Sequence, residues 1–61
     1  MLPIGCSKLI GGRHTIGIFH CGMGYSVRLY DRIDDHHLRS NALTRSGAYV
    51  EAAKLLMIAR S

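Results

Sequence analysis

The sequence predicts a small α+β domain in which a three-stranded antiparallel sheet packs against one C-terminal helix, in the order β-β-β-α. Residues 25–31 alternate between apolar and polar side chains, which is the period of a strand with one buried face. Residues 45–60 instead repeat their apolar side chains at the spacing of an amphipathic helix. The 61 residues are predicted to form a single domain, 1–61, with a small core.

The strand at 25–31 is expected at the centre of the sheet, because a glycine-rich turn precedes it and an Asp-Asp turn follows it. Side chains on a strand change face at every residue. One face therefore carries Tyr25, Val27 and Leu29, and the other carries Ser26, Arg28, Tyr30 and Arg32.

Two further strands are predicted on either side of it. Residues 13–20 are rich in β-branched side chains, and Gly17 within them indicates a bulge or a close packing contact. Cys21–Gly24 supplies glycines for a tight hairpin, and residues 32–35 supply the next turn. Residues 36–43 then form a third strand of weaker β-propensity, so that the sheet spans residues 13–43.

The helix is predicted over residues 44–60, with Thr44 as its N-cap and Arg60 at the negative end of its dipole. Its apolar stripe is expected to cover the sheet face of Val27, Leu29 and Leu38, with Glu51 and Lys54 on the solvent side. The stripe consists of Ala48, Tyr49, Ala52, Leu55, Leu56 and Ala59.

Residues 1–12 are consistent with either an irregular arm or a short edge strand, because Pro3 and three glycines interrupt two short apolar pieces. A unit this small is expected to cover some of its apolar side chains poorly, which favours a homo-oligomer. The side chains concerned are Leu2, Ile4, Ile10, Phe19, Met57 and Ile58.

The net charge of +4 arises from eight Lys plus Arg against four Asp plus Glu. Such a balance favours an anionic partner such as a phosphate backbone, although it is also an ordinary charge for solubility.

Met1–Ile4 lacks the features of a secretory signal, and no apolar run approaches the roughly 20 residues of a membrane span. We therefore expect a cytoplasmic protein with no membrane partner, in which Cys6 and Cys21 can form at most one disulfide.

The sheet face opposite the helix is the candidate binding surface. Arginine clamps phosphates or guanine edges, asparagine reads adenine, and tyrosine stacks or bonds to phosphate. The other interpretation is that an exposed antiparallel face is polar merely because water covers it. The predicted nucleic-acid-binding residues are Arg28, Tyr30, Arg32, His37, Arg39 and Asn41.

Metal binding and catalysis have weaker support. The potential zinc ligands include adjacent pairs, whose side chains point to opposite faces of a strand, so we predict no metal site and no cofactor. His36 or His37 beside Asp34 or Asp35 resembles an acid–base pair, and His20 beside Cys21 a thiolate pair, but a domain of this size is not expected to enclose a catalytic pocket. We predict a protein that is not an enzyme. The zinc candidates are Cys6, His14, His20, Cys21, His36 and His37.

The order of elements resembles the arm-type DNA-binding domain of phage and transposon integrases. The similarity rests on Gly24-Tyr-x-Val-Arg-Leu-Tyr30, a polar turn, a third strand, and Thr44-Arg45-x-x-Ala48 opening a helix. It covers roughly residues 14–60 and implies a sheet that enters the major groove. The residues that it implicates are Arg28, Tyr30, His37, Arg39 and Asn41.

The chain departs from that family at two places. Asp34–His37 occupies the position of a Lys and Arg run, and Gly47 stands where the family tends to have Glu. The glycine-tyrosine strand and the Thr-initiated, Ala-rich helix also resemble HicB-type antitoxins, which bind a toxin protein.

Two functional expectations follow. The first is a small non-enzymatic DNA-binding or regulatory protein, such as one encoded by a phage or mobile element, that binds duplex DNA through the basic face. The alternative is a protein-interaction module, inhibitor or antitoxin-like, that docks through its N-terminal arm or a sheet edge.

Overall fold

The computed structural model describes residues 3–60, which form a single antiparallel sheet with one helix packed on it. The sheet order is β1-β2-β3-β4, so each strand pairs with its neighbour in sequence. The predicted α+β class is confirmed. The elements are β1 Ser7–Ile10, β2 His14–Cys21, β3 Gly24–Asp31, β4 His36–Ala42 and α1 Arg45–Arg60.

The sheet has four strands rather than the predicted three, because residues 7–10 form a short edge strand, which was one of the two alternatives for residues 1–12. β1 pairs with β2 from Ser7 opposite Gly17 to Ile10 opposite His14. Gly5 extends this pairing by donating its backbone N–H to the carbonyl of Ile18 (2.6 Å). Four residues are too few to show an alternating pattern in the sequence. β1 is a strand because it pairs with the free edge of β2.

Glycine shapes the hairpin between β2 and β3. Cys21 lies opposite Gly24, so the connection is the two-residue loop Gly22-Met23. Gly22 has a φ of 59°, whereas Met23 does not have a positive φ. This combination is typical of a type II′ turn, whose twist matches that of the flanking strands.

The core lies between α1 and one face of the sheet. Ile18 and Val27 are completely buried, and Leu29 is nearly so. The helix contributes Ala48, Ala52 and Leu55 to the same cluster, as the helical spacing predicted. Two alanines at the contact let the helix approach the strands closely, so the branched side chains of the sheet fill the space.

The polar contacts of α1 fix its position along the sheet. Thr44 caps its N-terminus, since its Oγ1 accepts the backbone N–H of Gly47 at 3.0 Å. Glu51 is half-buried rather than on the solvent side as predicted, because it accepts a hydrogen bond from Ser40 on β4. This bond, together with Lys54, lowers the pKa of Glu51.

The residues expected to be poorly covered differ in their burial, and Phe19 is half-buried. Met57 and Ile58 are 73% and 59% exposed, as expected. Ile4 and Ile10 instead pack against the core, because β1 carries this part of the chain along the sheet. Leu2 lies outside the described residues. Within residues 3–60, no helix has the length and apolar character needed to cross a membrane.

Asp31 ties together the end of the sheet where β3 turns into β4. Its Oδ1 accepts the backbone N–H of Ile33 at 3.0 Å and that of Asp34 at 3.3 Å, which fixes the turn. Arg13 binds the same carboxylate, with Nη2 2.9 Å from Oδ2, and so joins the turn to the start of β2. These contacts, the Arg13 bond foremost, lower the pKa of Asp31 to about 2.

Replacement of Asp31 by Asn should lower the melting temperature near neutral pH, since it removes the charge that Arg13 and the two amides bind. The folded state holds the pKa of Asp31 at about 2, below its usual 3.8. The stabilisation is therefore complete above about pH 5 and is lost as the pH falls towards about 2. Thermal unfolding followed by circular dichroism across this range should show the deficit of Asp31→Asn shrinking on acidification.

Asp35→Asn is the matched control at the same turn. Asp35 is exposed, its φ of 51° is a conformation that Asn adopts readily, and an Asn side-chain oxygen still accepts the hydrogen bond from the Tyr30 hydroxyl, so little loss is expected. A deficit of Asp31→Asn that is the same at neutral and acidic pH would contradict this role for its charge.

Loss of the helix cap gives a second measurable effect. Thr44→Ala should lower the free energy of unfolding by about 1 kcal/mol, because the N–H of Gly47 loses its acceptor. Thr44→Ser keeps an acceptor oxygen and should retain most of the stability in urea unfolding. Equal stabilities of the two variants would argue against a capping role.

Candidate nucleic-acid interface

The open face, meaning the side of the sheet that α1 does not cover, presents alternate residues of all four strands. The strand register places side chains of successive strands side by side across it. Its basic and aromatic groups concentrate on β3 and β4, while β1 and most of β2 contribute small or uncharged side chains. The open face consists of Ser7, Leu9, Thr15, Gly17, Phe19, Ser26, Arg28, Tyr30, His37, Arg39 and Asn41.

Arg28 and Arg39 lie directly opposite each other on β3 and β4. Both side chains are exposed, and among residues 3–60 neither forms an ion pair with a carboxylate. Like charges placed directly across a strand pair destabilise a sheet slightly. The pair therefore creates a local positive potential that an anion would relieve.

Phe19 provides an aromatic platform beside this pair. Its ring lies over Gly17, where a Cβ atom would come within 2.6 Å of the ring. Gly17 thus marks a close packing contact. This is one of the two interpretations, a bulge or a close contact, that the sequence allowed. The Arg28 guanidinium lies 5.8 Å from the centre of the same ring, which is the range of a cation–π contact.

Tyr30 and His37 form an aromatic pair on the open face. Their ring centres are 4.6 Å apart, and their planes are tilted by 33°. The hydroxyl of Tyr30 donates a hydrogen bond of 2.9 Å to Asp35 in the adjoining turn. This bond, with partial burial, raises the pKa of Tyr30.

The remaining two predicted site residues differ in position. Asn41 is exposed on the open face, opposite Ser26. Arg32 follows Asp31, where β3 ends, and its guanidinium lies close enough to Tyr30 to act on that phenol electrostatically. Its exposed side chain stands at the rim of the sheet.

Acidic groups lie away from the centre of the open face. Asp31 and Asp34 bind Arg13 at one end of the sheet, and Glu51 is on the helix. Only Asp35 adjoins the face, at its edge, where it accepts the Tyr30 bond. Within residues 3–60, Arg28 and Arg39 are therefore two of the six Lys and Arg side chains that form no ion pair, and the other four are Lys8, Arg32, Arg45 and Arg60.

A second concave region lies on the helix side, at the end where β3 meets β4. His14, Asp31 and His36 form a row across three strands there. The side chain of His14 is about nine-tenths buried, and its Nε2 has no hydrogen-bond partner among residues 3–60, with the nearer Asp31 oxygen 3.6 Å away. Sequence reasoning named His14 only as a zinc candidate and missed its position beside Asp31, because only the strand register brings the two together.

The acid–base pairs suggested by the sequence are not formed. Asp34 binds Arg13, Asp35 binds Tyr30, and Asp31 is occupied by Arg13 and two backbone amides. Cys6 and Cys21 are both exposed thiols, without a disulfide. Across residues 3–60, no three His, Cys, Asp or Glu side chains gather in a group that could hold a metal ion.

Comparisons with known proteins give no family for this chain. No protein-family model matches it, and neither a curated protein nor a solved structure matches it significantly.

The Tyr30–Asp35 bond can be tested by titration. Asp35→Asn should lower the pKa of Tyr30, because a neutral amide stabilises the protonated phenol less than a carboxylate does. The ring resonances of Tyr30, followed by NMR through alkaline pH in both proteins, report this shift. Identical titration curves would show that the bond does not persist in solution.

Proposed function

We propose that this protein binds duplex DNA through the β3 and β4 part of its open face, as a non-enzymatic binding or regulatory protein. The observation that carries the proposal is the exposed Arg28–Arg39 pair, which has no carboxylate partner among residues 3–60. A sheet face that meets only water needs nothing more than scattered polar side chains. Two adjacent guanidinium groups beside aromatic rings are instead suited to phosphates and bases.

The dimensions of the face support a groove-binding mode. Neighbouring strands are about 4.8 Å apart, and the major groove is about 12 Å wide, so a two-stranded ribbon fits where the full sheet would not. β4 is an edge strand, which leaves its side chains free to lead into the groove. Arg39 and Asn41 on β4 are then placed for guanine and adenine edges, and Arg28 on β3 for a phosphate.

The alternative proposal is a protein-interaction module. Docking of the N-terminal arm has less support, because Ile4 packs on the core and Gly5 is hydrogen-bonded to β2. The unpaired edge of β4 favours the other route, addition of a strand from a partner protein. A partner that co-purifies in fixed stoichiometry and survives high salt would favour this function over DNA binding.

Duplex binding is measured by fluorescence anisotropy at several salt concentrations. The wild-type affinity should fall steeply with salt, with a slope of about 0.9 for each phosphate contact that displaces a counterion. Arg28→Gln and Arg39→Gln should each weaken binding by about 1–3 kcal/mol, or roughly 5- to 150-fold. Arg28→Gln should also reduce the salt slope by about 1, as expected for a phosphate contact.

Arg45→Gln is the matched control. Arg45 is an exposed arginine at the start of α1, in the other layer of the fold. It removes the same charge while leaving the open face intact, so its affinity should stay near that of the wild type. No binding by the wild type at low salt, or an equal loss in Arg45→Gln, would refute the proposed interface.

A further inference from the structure

The proposed duplex binding leaves part of the open face without a role. Neighbouring strands lie about 4.8 Å apart, so the major groove admits the β3–β4 ribbon and not β2 as well. Bases in a duplex also cover their ring faces by stacking on one another, and a protein in the groove reaches only their edges. The ring of Phe19 on β2, which is half-buried, therefore has no base to contact in such a complex.

Phe19 is positioned as a stacking platform. Its ring lies over Gly17, the residue that pairs with Arg28 on β3. A Cβ atom at position 17 would come within 2.6 Å of the ring, so glycine is what lets the ring lie this close to the backbone of the sheet. The ring is on the side away from α1 and takes no part in the core cluster beneath the helix.

A second platform lies farther along the same strands. Tyr30 and His37 are opposite each other on β3 and β4. They are two residues from Arg28 and Arg39, which is roughly 7 Å along an antiparallel strand. The ring centres of Tyr30 and His37 are 4.6 Å apart, and the bond from Tyr30 to Asp35 holds the phenol in place. His37 is exposed, so this ring pair is open to a base.

Both platforms and both arginines border one depression in the open face. Its volume is about 310 Å³, at the lower end of the range for small-ligand sites. Stacking of unpaired bases on aromatic side chains, with arginines on the backbone, is a general mode of single-strand recognition. The residues that line the depression include Phe19, Arg28, Tyr30, His37 and Arg39.

The depression combines charge with aromatic rings, and this combination selects among ligands. Arg28 and Arg39 form no ion pair with a carboxylate among residues 3–60, so a negatively charged ligand is favoured. An acidic peptide would bring the charge without a planar ring for Phe19 or His37. A strand with unpaired bases supplies both, since each nucleotide has a phosphate and an exposed ring face.

We infer that the open face also binds single-stranded nucleic acid, across β2, β3 and β4. One base stacks on Phe19, and its neighbour stacks on the exposed ring of His37. Arg28 and Arg39 bind the phosphates beside them. The ligand chemistry is an unpaired base on a phosphate backbone, which a DNA strand and an RNA strand both supply. This activity goes beyond the proposed duplex binding because it uses β2, and it shares the arginine pair with that function without depending on it.

Phe19 is the only phenylalanine in the chain, which gives a direct test on the unmutated sequence. Incorporation of para-fluorophenylalanine yields a protein with a single fluorine resonance. Saturation with a short unstructured thymidine or uridine strand should shift this resonance strongly, because a stacked base lies directly on the ring. A duplex at saturation should shift it much less. Separate titrations with the two strands show whether a deoxyribose or a ribose backbone binds more tightly.

Substitution of Phe19 separates stacking from packing. Phe19→Leu keeps an apolar side chain near Gly17 but removes the ring face, so its single-strand affinity, measured by fluorescence anisotropy, should fall about 5-fold or more. The salt slope should not change, because no charge is lost. Phe19→Tyr keeps the ring and is the matched control, with an affinity near that of the wild type. Both variants should retain the duplex affinity of the wild type, and thermal unfolding by circular dichroism checks that both are folded.

The outcomes distinguish this inference from the proposed function. An unshifted fluorine resonance with a single strand would overturn the inference. So would an unchanged single-strand affinity in Phe19→Leu, or an equal loss of single-strand and duplex affinity. Single-strand binding that depends on Phe19, with no duplex binding at low salt, would support the inference and refute the duplex function instead. Duplex binding without single-strand binding would do the reverse.

Discussion

The structure depends on the fact that one helix can cover only one face of a sheet. α1 buries Ile18 and Val27 on its side, and the described chain has no second layer for the other side. The open face must therefore remain compatible with water, and every strand must alternate accordingly. This constraint both creates the small core and leaves a broad flat surface on which function can reside.

The polar interactions at the ends of the fold compensate for the small core. Asp31 joins the β3–β4 turn to β2 through Arg13, and the Thr44 cap and the Ser40–Glu51 bond fix α1. The acidic side chains are largely engaged in these contacts. Among residues 3–60, no carboxylate offsets the charges of Arg28 and Arg39, because the carboxylates are engaged elsewhere, so the stability of the fold and the potential of the open face have a common origin.

β3 and β4 have different roles in the proposed interface. β3 lies inside the sheet, so Arg28 is held in place by neighbours on both sides and by the Phe19 ring. β4 is bonded on one side only, and its outer edge is open to a groove or to another strand. This edge therefore bears on the proposed DNA contact.

The sequence by itself determined the alternation of 25–31, the apolar stripe of α1 and the cap at Thr44, because each depends on spacing within one element. It thereby placed Arg28, Tyr30, His37, Arg39 and Asn41 on one face. Tertiary structure decided what depends on partners far apart in the chain. β1 forms only because the edge of β2 accepts it. His14 meets Asp31, and Arg28 stands opposite Arg39, only through the strand register, which a local pattern does not contain.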